Sequence, residues 1–62
     1  MDKEERVMKL KELVGNTRIQ DIADDAGVNH NTIRYTLKHG NPTVETLQKI
    51  AKALGVHPSV LV

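Results

Sequence analysis

Apolar residues recur at the three- and four-residue spacing of amphipathic helices along most of the chain. The first such stretch follows Asp2, which with Glu5 resembles a capping box, and it precedes Gly15 and Asn16, which are typical of a helix end and a turn. This pattern predicts a first helix at residues 3–14. Its apolar stripe comprises Val7, Leu10, Leu13 and Val14.

Two further amphipathic stretches are joined at a glycine. Thr17, with Gln20 three residues later, forms a second capping signature, so we expect Thr17 to be the N-cap of the second helix. Gly27 ends that helix in the left-handed conformation, and Asn29 caps the third helix. The apolar face of the second helix comprises Ile19, Ile22, Ala23 and Ala26. The third helix has Ile33 and Leu37 as its buried positions, with Thr32 and Thr36 at the margin.

The last third of the chain predicts one more amphipathic helix and a terminal turn. Thr43 is a good N-cap, Gly55 closes the helix, and Pro58 suits the first position of a short final helix. The apolar stripe of the fourth helix comprises Val44, Leu47, Ile50, Ala51 and Leu54. We therefore predict an all-α fold, a compact bundle of five short helices that forms a single domain over residues 1–62.

Composition narrows the classes of function. The 62 residues include no cysteine, so neither a disulfide nor a thiolate zinc site stabilises the fold. His30, His39 and His57 lack metal-ligand spacing, and the adjacent Asp24 and Asp25 diverge by about 100° on a helix, a poor geometry for acid–base catalysis. No phosphate-binding loop, nucleophile elbow or apolar run of membrane-spanning length occurs. We expect a cytoplasmic protein that is not an enzyme and needs no metal or cofactor.

The charge is distributed unevenly. The net charge is only +1, but residues 1–25 carry −2, whereas residues 26–44 carry +2 from Arg34 and Lys38 without any acidic residue. This basic segment coincides with the predicted third helix. A locally positive surface is what phosphate groups require.

The outward face of the third helix is rich in hydrogen-bonding side chains. On a helical wheel, the residues that lie away from Ile33 and Leu37 or on the flanks are His30, Asn31, Arg34, Tyr35 and Lys38. Asn pairs with adenine and Arg with guanine in the major groove of DNA. The first turn of the second helix, where Arg18 lies, offers free amides to a phosphate. The pattern therefore predicts a helix-turn-helix that binds double-stranded DNA.

Two runs carry a family resemblance, IQDIADDAGVNHNTIRYTL at residues 19–37 and NPTVETLQKIAKALGV at residues 41–56. They resemble the lambda-repressor/Cro-like (Xre-type) helix-turn-helix proteins, and residues 21–33 resemble, more weakly, the headpiece of the lac-repressor family. The resemblance implies that His30, Asn31 and Tyr35 face base edges. It also implies phosphate contacts from the start of the second helix and from the loop after the third, at Thr17, Arg18, Lys38, His39 and Asn41.

The sequence thus predicts a transcriptional regulator, a repressor that occupies an operator with a recognition helix at residues 29–38. The expected base contacts are His30, Asn31, Arg34 and Tyr35. The expected phosphate contacts are Thr17, Arg18, Asn29, Lys38, His39 and Asn41. We expect a homodimer that binds paired half-sites, with residues 60–62 as the candidate dimer surface unless these residues only close the core. Two alternatives are an antitoxin-type module with a toxin as its protein partner, and the DNA-binding end of a larger regulator.

Overall fold

The computed structural model describes all residues from Met1 to Val62 and contains no β-strand. Its elements are α1 (Lys3–Val14), α2 (Ile19–Ala26), α3 (His30–His39), α4 (Val44–Ala53) and a 3-10 helix (Pro58–Leu61). The prediction of a compact all-α fold is confirmed. The fifth predicted helix is a four-residue 3-10 helix, so the chain has four α-helices rather than five.

The first helix begins and ends where its capping residues predict. The Asp2 side chain accepts a hydrogen bond from the backbone N–H of Glu5 at 2.8 Å, which satisfies one of the free amides of the first turn. At the other end Gly15 donates its N–H to the Lys11 carbonyl at 3.0 Å. Local capping chemistry therefore accounts for both ends of α1.

The predicted start of the second helix is wrong by one residue. Thr17 is not the N-cap, because the carbonyl that accepts the first helical N–H groups, those of Asp21 and Ile22, belongs to Arg18. The Thr17 N–H donates to the Val14 carbonyl at 2.9 Å, in the turn that follows α1. Arg18 is the N-cap instead, and its side chain makes no capping hydrogen bond. Thr17 therefore lies in the turn between α1 and α2, and α2 begins at Ile19 without a side-chain cap.

The turn between α2 and α3 follows the prediction. Gly27 adopts the left-handed conformation with φ 70°, which glycine tolerates without steric cost. Val28 donates its N–H to the Ala23 carbonyl at 3.0 Å, a hydrogen bond of the kind that closes a helix. Asn29 then caps α3, since its side-chain oxygen accepts from the N–H of Asn31 at 2.8 Å. This short connection fixes α3 against α2, with which it makes extensive contacts.

The core is entirely aliphatic and contains residues from all five elements. Its eight buried members are Leu10, Ile22, Ala23, Ile33, Leu47, Ile50, Ala51 and Leu61. Thr36 lies fully inside rather than at the margin, because its Oγ1 donates to the Thr32 carbonyl at 2.8 Å and thus stays satisfied when buried. Val44 does not belong to the stripe of α4. As the first residue of α4 it precedes the packed turns, and it is 73% exposed.

The third helix lies between two supports. It packs against α2 on one side and against α1 on the other, while α4 packs against α2 and the 3-10 helix. The molecule measures 26 × 18 × 18 Å. None of its helices has the length and apolarity that crossing a membrane demands. This arrangement leaves one face of α3 free along its length.

Candidate nucleic-acid interface

The free face of α3 carries a row of three exposed side chains. Asn31, Tyr35 and Lys38 are spaced by four and three residues, so they lie within about 60° of one another on the helix and opposite Ile33. Arg34 is exposed on one flank of this row. We call Asn31, Tyr35 and Lys38 the outer row.

The polar side chains on this face have no partner within the protein. His30, Asn31, Arg34 and Lys38 are all exposed, and their side chains make no hydrogen bond and no ion pair. Arg34 in particular does not pair with Asp24 or Asp25, since the ion pairs of the protein are Arg18–Asp21 and Lys49–Glu45. Their donors and acceptors are therefore available to another molecule.

Tyr35, the only aromatic residue of the chain other than histidines, is 59% exposed and lies outside the core. Its ring contacts the ring of His39 one turn later, with centroids 4.4 Å apart and planes inclined by 43°. This i, i+4 contact holds the phenol on the outer surface of α3 rather than against α1. His39 is exposed as well and lies at the end of α3.

The start of α2 offers unpaired backbone donors. The N–H groups of Ile19 and Gln20 have neither a side-chain cap nor a backbone partner, whereas those of Asp21 and the following residue bond to the Arg18 carbonyl. The Arg18 guanidinium pairs with Asp21 at 3.3 Å, but both side chains are largely exposed, and such surface pairs contribute little. Two amides at a helix N-terminus favour an anion.

The loop after α3 follows the end of its free face. Gly40 ends α3 with φ 65°, and its N–H closes the helix on the Thr36 carbonyl at 2.8 Å. Lys38 and Asn41, on either side of this cap, are exposed. This loop follows the outer row of α3, and Lys38 and Asn41 are two of the residues that the sequence predicts to contact phosphate.

Residues 7–61 match the family model of the helix-turn-helix domain of the Cro/C1 type. The chain belongs to this helix-turn-helix family. Its members are DNA-binding regulators of transcription rather than enzymes, and this chain is a DNA-binding regulator at that level. Comparison with curated proteins and with solved structures gives no significant match.

Within the helix-turn-helix, α2 and α3 are the two helices of the motif, and α3 is the predicted recognition helix. Every residue that the sequence predicts to contact DNA is exposed, and these residues lie at the start of α2, along α3 and in the loop that follows it. Two of them already have a role inside the protein, because Asn29 caps α3 and Arg18 pairs with Asp21. No group of His, Asp and Glu side chains is arranged to hold a metal ion.

Sequence reasoning missed one residue that supports the recognition helix of this helix-turn-helix protein. Arg6 of α1 is half-buried and donates to the carbonyl oxygens of Gly40 at 2.7 Å and Leu61 at 2.8 Å. An arginine directly beside Val7 of the apolar stripe is the only signal in the sequence. Its acceptors are backbone atoms, which no residue pattern reveals.

Proposed function

We propose that the protein is a sequence-specific repressor that occupies an operator by placing α3 in the major groove, with residues 1–62 acting as one DNA-binding domain. The outer row of α3 carries this proposal, since it is exposed and its side chains make no hydrogen bond or ion pair. An α-helix with its side chains is about 10–12 Å in diameter. It therefore fits into a major groove that is about 12 Å wide.

The base contacts are assigned by side-chain chemistry and by place on α3. Asn31 lies in the first turn at the centre of the free face, where it can donate to and accept from an adenine edge. Arg34 lies one turn later on the flank, and its planar fork matches the two acceptors of guanine. Tyr35 and His30 border these two residues and complete the base-contacting group.

The phosphate contacts lie at the two ends of this surface. Thr17, Arg18 and the free amides of α2 bind the backbone on one side. Lys38, His39 and Asn41 bind it on the other side, at the end of α3 and in the following loop. Asn29 keeps its cap with the carbonyl oxygen and still has an amide NH₂ to donate.

The experiment that tests this function is selection from random duplexes at two salt concentrations, followed by binding measurements with two variants. Asn31→Ala should weaken binding to the selected operator by about 1–3 kcal/mol and relax the preference at one base position. Lys38→Ala should weaken binding to all sequences and reduce the slope of log affinity against log salt by about one. Lys52→Ala, which removes an exposed charge from α4, is the control. If no sequence is enriched, or if both variants bind like the wild type, the assignment of α3 is wrong.

The repressor is proposed to bind as a homodimer, because a single small module buries little surface on DNA and two half-sites add their affinities. Leu61 cannot belong to the dimer surface, since it is fully buried and closes the core. The exposed apolar groups of this region are Val62 and Val44, which line the same groove at the 3-10 helix. Light scattering at several concentrations, with and without a palindromic duplex, tests this part. A protein that stays monomeric on the palindrome, or a Val62→Asp variant that assembles normally, contradicts it.

A further inference from the structure

Arg6 connects three segments that are distant in the sequence. Its Nη1 donates to the Gly40 carbonyl at 2.7 Å, its Nε to the Leu61 carbonyl at 2.8 Å, and its Nη2 lies 3.4 Å from the Met1 carbonyl. No carboxylate pairs with it. The guanidinium therefore acts as a fork that joins backbone atoms, a geometry that its planar donors suit and a lysine ammonium does not.

Gly40 is the point at which this fork meets the recognition helix. It is buried, it ends α3 in the left-handed conformation, and its site lies directly against the first turns of α1, at Lys3 and Val7. Its carbonyl oxygen receives no other hydrogen bond. Because an unpaired buried carbonyl is costly, Arg6 fixes the direction in which the chain leaves α3.

We propose that Arg6 is a positioning residue for DNA binding, which acts through Gly40 on the loop that contacts phosphate. This inference rests on the proposed function. Asn41 follows Gly40 directly, so any rotation of the Gly40 peptide moves Asn41. A binding constellation tolerates displacements of only about 0.5 Å. Asn31, by contrast, lies nine residues before Gly40, about 13 Å away along the helix axis, and does not depend on the fork.

The test is a pair of double-mutant cycles on the selected operator. Asn41→Ala should weaken binding of the wild type about ten-fold, the factor of one hydrogen bond to a charged group, but less than about two-fold in an Arg6→Met background. Asn31→Ala should weaken binding by the same factor in both backgrounds. If Arg6 had a purely structural role, its loss would change the effects of Asn41→Ala and of Asn31→Ala on binding alike. If Asn41→Ala has its full effect in the Arg6→Met background, the proposal is overturned.

Two further variants make the result specific. Lys11→Met removes a positive charge from the exposed side of the same helix and should leave both cycles unchanged. Arg6→Lys keeps the charge and most of the aliphatic chain. If Arg6→Met does not fold, Asn41→Ala and Asn31→Ala are measured in the Arg6→Lys background instead. Its single ammonium nitrogen cannot occupy both the Nε and the Nη1 positions of the arginine, so Arg6→Lys should behave like Arg6→Met. A wild-type response from Arg6→Lys would overturn the proposal, because a point charge would then suffice.

A measurement without DNA separates this proposal from the proposed function. In the free protein, the amide resonances of residues 38–41 should shift more in Arg6→Lys than those of residues 30–33. A wild-type protein that selects no operator refutes the proposed function before any Arg6 variant is compared. Equal shifts in the two segments, in a protein that does select an operator, refute only the role of Arg6.

Discussion

Gly40→Ala tests how tightly the end of the recognition helix is seated on α1. A Cβ atom at this position would collide with the Lys3 carbonyl oxygen and lie 2.7 Å from Val7 Cγ2. The Lys3 oxygen is a backbone atom, so it cannot move aside as a flexible side chain would. The substitution must therefore push the last turn of α3 away from α1.

The expected loss of stability has three parts. A non-glycine residue in the left-handed region costs about 1–2 kcal/mol, as Gly40 has φ 65°. Overpacking at a closely packed site adds about 1–3 kcal/mol. Displacement of the Gly40 carbonyl also weakens its hydrogen bond to Arg6, worth about 1 kcal/mol. A domain of this size is stable by only about 3–9 kcal/mol, so Gly40→Ala should lose a large fraction of its stability.

Gly27→Ala is the matched control, because Gly27 has nearly the same φ, 70°, but a Cβ atom there would have no neighbouring atom within 4 Å. Both variants carry the conformational cost, whereas only Gly40→Ala carries the packing cost and the loss at the Arg6 hydrogen bond. With a urea m-value of about 1 kcal/mol/M, the midpoints followed by circular dichroism should differ by about 2–4 M. Equal midpoints would refute the reasoning that α3 is wedged against α1.

Two other substitutions follow from the same structure. Thr43→Ala should cost about 1 kcal/mol, since Thr43 accepts from the Thr46 N–H at 3.2 Å, whereas Thr17→Ala should change the urea midpoint little because Thr17 caps no helix. Leu61→Ala should cost about 2–5 kcal/mol in thermal or urea unfolding, because Leu61 is fully buried, whereas Val62→Ala should be nearly neutral at 67% exposure. A large effect of Thr17→Ala would restore it as a cap, and a small effect of Leu61→Ala would remove it from the core.

The parts of the fold that depend on near neighbours could be predicted from the sequence. The ends of α1, the left-handed turn at Gly27 and the cap at Asn29 all involve residues within a few positions of one another. The same local rules fail at Thr17. The carbonyl that accepts the first helical N–H groups of α2 belongs to Arg18, so this helix begins one residue later and without a side-chain cap.

The support of the recognition helix could not be predicted in this way. Arg6 is separated by 34 residues from Gly40 and by 55 from Leu61, and its acceptors are carbonyl oxygens that every residue type carries. The burial of Thr36 was also not predicted. A threonine on a helix is buried at low cost only if its hydroxyl bonds back to the preceding turn, as the Thr36 hydroxyl does. The candidate site itself could be predicted, because Ile33 and Leu37 define which side of α3 is buried and therefore which side is exposed.

The two ends of the recognition helix are held by different parts of the protein. Its start is fixed through the Gly27 turn to α2, by local hydrogen bonds, whereas its end is fixed through Gly40 to α1 and to the 3-10 helix. Perturbations at the two ends therefore have different consequences for DNA binding. On the proposed function, we expect a change near Gly27 to alter the angle between the two helices of the motif, and with it the base contacts. We expect a change near Arg6 to leave that angle intact and to alter the phosphate contacts, so it should lower affinity more than it alters sequence preference.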